Sequence, residues 1–223
     1  MQAWQPLLAD LASRFAIVET PVDVDGRTLH LFHPRSIDEL LDEDEFNRDG
    51  RIPYWTAIWP AGRALAHELL TWTGARGRLL ELGCGVGTGA VAAAAAGFEV
   101  TASDYYAEAL EFTRLNALRN DVAVPQLTLL DWRDWPRELA PFETVVAADV
   151  MYEPQMCDLV ALVLSKALAT GGTAIVTDPG RPHSVRFADA CKSRGLTLES
   201  ATRRLVTDAE RRLAIDVYRL RTV

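Results

Sequence analysis

Residues 79–87 read Leu-Leu-Glu-Leu-Gly-Cys-Gly-Val-Gly, an apolar run that enters a glycine-rich turn. Glycine permits positive φ angles and lets a ligand approach the main chain closely. Because a helix is predicted directly afterwards, over residues 88–96, the turn also offers free N–H groups at a helix N-terminus. The stretch predicts a strand, a ligand-binding loop and a helix, although tight turns also use glycine for steric reasons alone.

The spacing of these glycines distinguishes between ligands. A dinucleotide-binding fingerprint has its third glycine or alanine three positions after the second. Thr88 occupies that position here, and the third glycine comes one residue earlier, at Gly87. The loop therefore disfavours a nicotinamide or flavin cofactor.

Strands and helices alternate around this stretch. Strands are predicted at residues 78–82, 99–103, 127–130, 144–148 and 172–177, and helices at residues 54–72, 88–96, 107–119, 156–168 and 183–194. Such alternation predicts an α/β fold with a doubly wound, mainly parallel sheet. Residues 197–205 and 214–221 add two strands with no helix between them, so they must pair antiparallel and complete a seven-stranded sheet.

The N-terminal region breaks this pattern. Residues 7–15 have helical spacing, and two apolar runs flank Asp25-Gly26, a strong hairpin signal. An acidic segment, residues 38–49, follows with seven acids and one arginine. We expect residues 1–52 to form a helix, a hairpin and this acidic segment, and residues 53–223 to form the α/β domain.

Composition limits the function classes. The 223 residues are 49% hydrophobic with a net charge of −8, which indicates a globular protein and disfavours nucleic acid as a partner. We predict a cytoplasmic location without a membrane partner, because the chain shows neither a leader nor an apolar run of roughly 18 residues. The three cysteines and four histidines lack metal-ligand spacing, so no metal site is predicted.

A carboxylate ends the next predicted strand. Asp104 lies 21 residues after Gly83, where it can accept hydrogen bonds from a ribose diol. The alternative is that Asp104 caps the following helix.

Glu81, the Gly-x-Gly-x-Gly loop, Asp104 and the closing antiparallel strands together resemble the class I S-adenosylmethionine-dependent methyltransferases. The resemblance implies a Rossmann-like methyltransferase fold with S-adenosylmethionine as cofactor. In that family the glycine loop contacts the methionyl part, the acid after the second strand holds the ribose, and an acid after the third strand marks the adenine. The implied cofactor residues are Trp59, Glu81, Gly83, Cys84, Gly85, Gly87, Asp104, Tyr105, Asp131, Trp132 and Ala148.

Several of these residues have simpler interpretations. Trp132 offers a π-face to an adenine, but a tryptophan at a strand end is more often part of the core. The same holds for Trp55 and Trp59 on the entry segment. Cys84 is interpreted as a small residue rather than a nucleophile, because no base is positioned beside it in the sequence.

Three further motifs narrow the family. They are Pro-Tyr-Trp-Thr-Ala-Ile-Trp-Pro-Ala-Gly at residues 53–62, Asp-Val-Met-Tyr at 149–152 and Asp-Pro-Gly-Arg-Pro at 178–182. Together they resemble the DxxY protein-lysine methyltransferases, most closely the branch that methylates the β subunit of electron transfer flavoprotein. The resemblance implies a protein substrate with an exposed lysine and places Asp149 and Tyr152 at the chemistry.

The implied mechanism needs an aligned, deprotonated amine. Asp149 would hold the amine, and it is a poor general base at an ordinary pKa near 3.9. Tyr152 would align the amine, although Asp149 could instead cap the next helix with Tyr152 packed beneath it. Arg181 either binds an acidic group of the substrate or pairs with carboxylates of the C-terminal strands. A small-molecule N-methyltransferase and a non-catalytic cofactor-binding module are the competing functions.

Overall fold

The computed structural model describes residues 2–37, 40, 52–136, 138–139, 141–208 and 211–222, so most of the acidic segment lies outside the described residues. The elements in chain order are α1 (Gln5–Ala12), β1 (Ile17–Val24), β2 (Arg27–Pro34), α2 (Pro60–Leu70), β3 (Arg78–Leu82), α3 (Thr88–Ala95), β4 (Glu99–Asp104), α4 (Ala107–Arg119), β5 (Gln126–Leu129), β6 (Phe142–Ala148), α5 (Met156–Ala167), β7 (Leu168–Asp178), α6 (Phe187–Lys192), β8 (Leu196–Asp208) and β9 (Arg211–Thr222). Two short 3₁₀ helices span Tyr54–Thr56 and Pro182–Arg186.

The main sheet has seven strands in the order β5-β4-β3-β6-β7-β9-β8. The first five are parallel, and β9 runs antiparallel to both β7 and β8. This confirms the predicted α/β fold with its antiparallel C-terminal pair. The chain leaves β3 in one direction and returns on its other side as β6, so the strand order reverses between these two strands. Ligands of open α/β sheets bind at such a reversal, beyond the carboxyl ends of the strands.

Both faces of the sheet are covered. Leu80 and Leu82 of β3 face a core cluster that contains residues of α5 and α6, whereas Leu79 faces one built with α2, α3, α4 and the hairpin. Successive side chains of a strand point to opposite faces, so β3 is buried on both sides. That burial explains its continuous apolar run and fixes the position of the glycine loop that follows it.

The β1–β2 hairpin is fastened to α4 by two asparagines. The Asn116 amide accepts a hydrogen bond from the Phe32 N–H at 2.7 Å and donates to the Phe32 carbonyl at 2.9 Å. Asn120 pairs with the backbone of His30 in the same way, at 2.9 and 2.7 Å. The Asn116 amide also donates to the carbonyl of Val86 at 2.8 Å, which links the hairpin to the glycine loop.

Two helix predictions were wrong at their ends. The helix predicted over residues 54–72 begins only at Pro60, because Trp59 is extended (φ −81°, ψ 146°) and a proline suits the first helical turn. The helix predicted over residues 183–194 is a 3₁₀ helix followed by the short α6. Among the described residues, no helix is long and apolar enough to cross a membrane.

Candidate active site

A cavity of about 470 Å³ opens at the carboxyl ends of β3, β4 and β6, beside the reversal of strand order. Every residue that the sequence analysis assigned to the cofactor or to the chemistry, except Gly87, lines this cavity. Gly87 is the last residue of the glycine loop and the N-cap of α3.

The glycine loop has a backbone that disfavours any other residue. Gly83, Gly85 and Gly87 have φ angles of 66°, 54° and 88°, in the region that L side chains rarely adopt. A Cβ atom at Gly83 would lie 3.2 Å from Val150 Cγ1, and one at Gly87 would lie 2.8 Å from Thr113 Oγ1. The glycines are therefore required both by conformation and by space.

Asp104 braces the loop from the end of β4. Its Oδ2 accepts a hydrogen bond from the Gly85 N–H at 2.8 Å, and its Oδ1 accepts one from the Tyr106 N–H at 3.0 Å. The N-cap of helix α4 is Tyr106 rather than Asp104. Burial raises the pKa of Asp104 to about 6, although the two N–H groups oppose that rise. The carboxylate is thus an acceptor at the cavity wall, beside the loop.

Glu81 and Cys84 lie deeper. Burial raises the pKa of Glu81 to about 8, so its carboxyl group is mostly protonated at neutral pH. Burial also raises the pKa of the Cys84 thiol, and its Sγ lies 3.4 Å from Thr113 Oγ1. A thiol that resists ionisation is a weak nucleophile, which agrees with its interpretation as a small loop residue.

The residues after β4 and β5 form another wall of the cavity. The Trp132 ring lies 3.5 Å from the Cβ position of Gly83, and its buried Nε1 has no hydrogen-bond partner in the described part of the chain. Asp131 accepts a hydrogen bond from Arg133 Nε at 2.9 Å, and the Arg133 guanidinium lies 5.9 Å from the Tyr105 ring. Trp132 therefore lies in apolar surroundings, whereas its neighbour Asp131 lies beside a cation.

The two tryptophans of the entry segment differ in burial. Trp55 is buried in a core cluster and packs on Phe112 with ring centroids 5.6 Å apart. Trp59 stays 37% exposed at the cavity, and its Nε1 donates to the Tyr54 carbonyl at 2.8 Å. Both residues line the cavity, but Trp55 serves mainly as core.

Asp149 follows β6 with a φ of 59°, a left-handed conformation at a residue that is not glycine. Its N–H donates to the Thr177 carbonyl of β7 at 2.9 Å. Burial raises the pKa of the Asp149 carboxyl, whereas the Arg181 guanidinium, which forms an ion pair with it, lowers the pKa. Tyr152 is 42% exposed, and its ring centroid lies 5.2 Å from that of Tyr54.

Sequence reasoning assigned Tyr54 no role in this site and left the role of Arg181 open. Tyr54 lies in the motif at residues 53–62, but the motif alone gave it no role. Its ring contact with Tyr152 shows that it belongs to the site. Arg181 pairs with Asp149 and Asp178. Pairing with the C-terminal strands was one of the two roles left open for Arg181, and among the described residues Asp216 of β9 pairs instead with Arg203 of β8 at 2.7 Å.

Comparison with known proteins supports a methyltransferase. A family model described as a methyltransferase domain matches residues 59–213. The electron transfer flavoprotein beta subunit lysine methyltransferases of Xenopus laevis and Danio rerio are 35% identical over 136 residues and 32% identical over 142 residues. These matches cover 58% and 60% of this chain but 53% and 54% of the relatives. The chain spans about half the length of the curated relatives it matches.

Solved structures support the fold. The N-methyltransferase NodS from Bradyrhizobium japonicum WM9, in complex with S-adenosyl-L-homocysteine, superposes with a TM-score of 0.60 at 18% identity, covering 83% of this chain and 95% of NodS. The ribosomal protein L11 methylase of Lactobacillus delbrueckii subsp. bulgaricus gives a TM-score of 0.58 at 16% identity, over 73% and 79% of the two chains. The comparisons support S-adenosylmethionine as the cofactor. Because the family model covers well over half of the sequence, the chain belongs to the methyltransferase domain family.

Proposed function

We propose that this protein transfers a methyl group from S-adenosylmethionine to a lysine amine of a protein substrate. One observation carries the proposal: Asp149 and Tyr152 line the same cavity as the glycine loop. A group that attracts an ammonium thus lies in the same cavity as the loop expected to hold the methyl donor. The names of the curated relatives make the β subunit of electron transfer flavoprotein the first substrate to test.

The residues of the cavity fit the cofactor. The left-handed glycines leave a cradle that a Cβ atom at Gly83 or Gly85 would fill, at 3.2 Å from neighbouring atoms. Trp132 offers an apolar ring and a buried indole N–H without a partner among the described residues, and Asp104 offers a carboxylate. We assign the methionyl end to the glycine loop, the ribose to Asp104 with Tyr105, and the adenine to Asp131 and Trp132, with Trp59, Glu81, Cys84 and Ala148 completing the pocket.

The bound cofactor supplies a methyl group already activated on a sulfonium, so no covalent enzyme intermediate is needed. The protein's own part is to orient the amine and to exclude competing nucleophiles. Asp149 attracts the lysine ammonium, and the exposed ring of Tyr152 borders the path of the side chain. Desolvation in the cavity lowers the pKa of the lysine, and burial raises the pKa of Asp149. Both changes favour release of the proton that the amine must lose before it attacks.

The charge of the protein suits a basic partner surface. We assign substrate attraction to the acidic segment, residues 38–49, on its charge alone, because apart from Leu40 it lies outside the described residues. The cytoplasmic location and the lack of a nucleic-acid partner stay predictions from the sequence.

The test uses Asp149→Asn, which keeps the shape of the side chain and removes its charge. We expect methyl transfer to the flavoprotein β subunit, or to a protein band in a cell lysate, to fall on the order of a hundredfold or more, since transfer tolerates little misplacement. Binding of S-adenosylmethionine, followed by calorimetry, should stay as in the wild type.

Asp158→Asn is the matched control, because Asp158 is an exposed carboxylate on α5 outside the cavity lining. Normal turnover by Asp149→Asn would remove the residue from the chemistry. Loss of cofactor binding in that variant would instead move Asp149 into the cofactor site. Label found only in a small-molecule fraction would favour the small-molecule N-methyltransferase.

A further inference from the structure

The motif at residues 178–182 builds a rigid turn after β7. Asp178 is fully buried, and its Oδ1 accepts hydrogen bonds from the N–H groups of Gly180 at 2.8 Å and Arg181 at 2.9 Å. Its Oδ2 accepts a further bond from the Arg181 guanidinium at 2.9 Å. Asp178 therefore fixes both the main chain and the side chain of Arg181.

This turn is tied at two points to the turn after β6 that carries Asp149 and Tyr152. The second terminal nitrogen of the Arg181 guanidinium forms an ion pair with Asp149 Oδ1. His183 Nε2 donates to the Met151 carbonyl at 2.7 Å. The two contacts lie on alternate residues of the 149–152 motif, so the 178–183 segment determines where that motif sits in the cavity.

The charges along this connection do not balance. Two carboxylates, Asp149 and Asp178, share one guanidinium, and among the described residues Arg181 is the ion-pair partner of both. Asp216 faces Asp178 across β9 and β7, but Arg203 of β8 binds it. The Asp149 side chain is only 7% exposed, and a buried carboxylate without a cation favours its protonated form. The site can thus accept one more positive charge beside Asp149.

We propose that Arg181 is a positioning residue that holds Asp149 ionised and in place at the cavity. The cluster of Asp149, Asp178 and Arg181 then has one negative charge in excess. The ammonium of the substrate supplies the missing positive charge. The inference rests on the proposed function, because it takes the amine as the missing cation. It assigns the Asp-Pro-Gly-Arg-Pro motif a purpose: Asp178 anchors Arg181, and Arg181 orients the residue that meets the substrate.

The test compares Arg181→Gln with Arg181→Lys, and Arg186→Gln serves as the control on an exposed arginine of the adjacent 3₁₀ helix. The first readout is the titration of the Asp149 carboxyl carbon by ¹³C NMR in the protein without substrate. Arg181→Gln should move the midpoint of that titration upward, since the group that opposes the effect of burial is gone. Arg181→Lys should return it most of the way, and Arg186→Gln should not move it.

The second readout is the pH dependence of kcat/KM on a lysine substrate. In Arg181→Gln the acidic limb should move upward with the Asp149 midpoint, and kcat at neutral pH should fall on the order of a hundredfold with cofactor affinity unchanged. The lysine variant should recover part of the loss. Asp178→Asn, which loosens Arg181 without removing it, should lower kcat less than Arg181→Gln does. It should not move the acidic limb upward, because the lost Asp178 charge had raised the pKa of Asp149.

Two results would overturn the inference. One is an unchanged Asp149 midpoint in a folded Arg181→Gln. The other is a lower KM with undiminished kcat in that variant, which would mean that Arg181 only obstructs the amine. A wild-type protein that methylates no lysine would refute the proposed function, whereas the NMR titration would still decide whether Arg181 controls Asp149.

Discussion

Replacing Asp104 by asparagine separates the two tasks that this carboxylate has, bracing the glycine loop and binding the cofactor. A pKa raised from 3.8 to about 6 means that ionisation of Asp104 at neutral pH lowers the stability of the folded protein, relative to the unfolded chain, by roughly 3 kcal/mol. The contribution that the protonated form makes to stability is present below pH 3.8 and is lost as the pH rises through about 6. Asparagine stays neutral throughout, so the variant avoids that loss.

The substitution also has a cost. The carboxylate accepts hydrogen bonds from the N–H groups of both Gly85 and Tyr106, and an amide has only one oxygen to offer. Leaving one buried N–H unpaired costs about 1–3 kcal/mol, which offsets most of the gain. We therefore expect the free energy of unfolding at pH 7 to change by less than about 2 kcal/mol in urea denaturation.

Cofactor binding should respond differently. Loss of a charge-assisted hydrogen bond to the ribose corresponds to about 1.5–3 kcal/mol, or a tenfold to more than hundredfold rise in Kd. Calorimetry from pH 5 to 8 should show wild-type affinity weakening as the pH falls through about 6, with this transition absent in Asp104→Asn. Glu108→Gln is the matched control, because Glu108 in the first turn of α4 is a carboxylate outside the cavity lining. Wild-type affinity of Asp104→Asn at pH 7 would refute the assignment.

Two further experiments test other parts of the site. Trp132→Phe should remove part of the tryptophan fluorescence quenching caused by S-adenosylhomocysteine, because the Trp132 ring lies against Gly83 of the glycine loop. A full quench that survives replacement of both Trp132 and Trp59 by phenylalanine would contradict their place beside the cofactor. Neutralising the seven acids of residues 38–49 should raise KM for a basic protein substrate more than it lowers kcat, and it should make KM depend less on salt concentration. An unchanged KM would mean that the segment does not attract the substrate.

The sequence allowed the order of strands and helices and the loop at residues 83–87 to be predicted, because both depend on local patterns. Pro60 was also a local signal for the start of α2. The helix was predicted to begin at Tyr54 because the apolar spacing begins there. The partners of Arg181 could not be predicted, since Asp149 lies 32 residues away and meets it only when β6 and β7 pair. The structure buries Trp55 and leaves Trp59 partly exposed at the cavity. No periodicity within residues 53–62 distinguishes the two tryptophans.

The Asn116 amide has consequences for how the protein can be shortened or fused. It has one oxygen and two N–H groups, and the hairpin backbone and the Val86 carbonyl use all three. Deleting the first 36 residues would leave this buried amide with only its bond to Val86. It would also expose the apolar side chains of α2 and α3 that Leu29 and Leu31 cover. The family match begins at residue 59, but the hairpin before it packs on the matched part of the chain. A tag or fusion that unseats β2 would loosen the glycine loop from a distance.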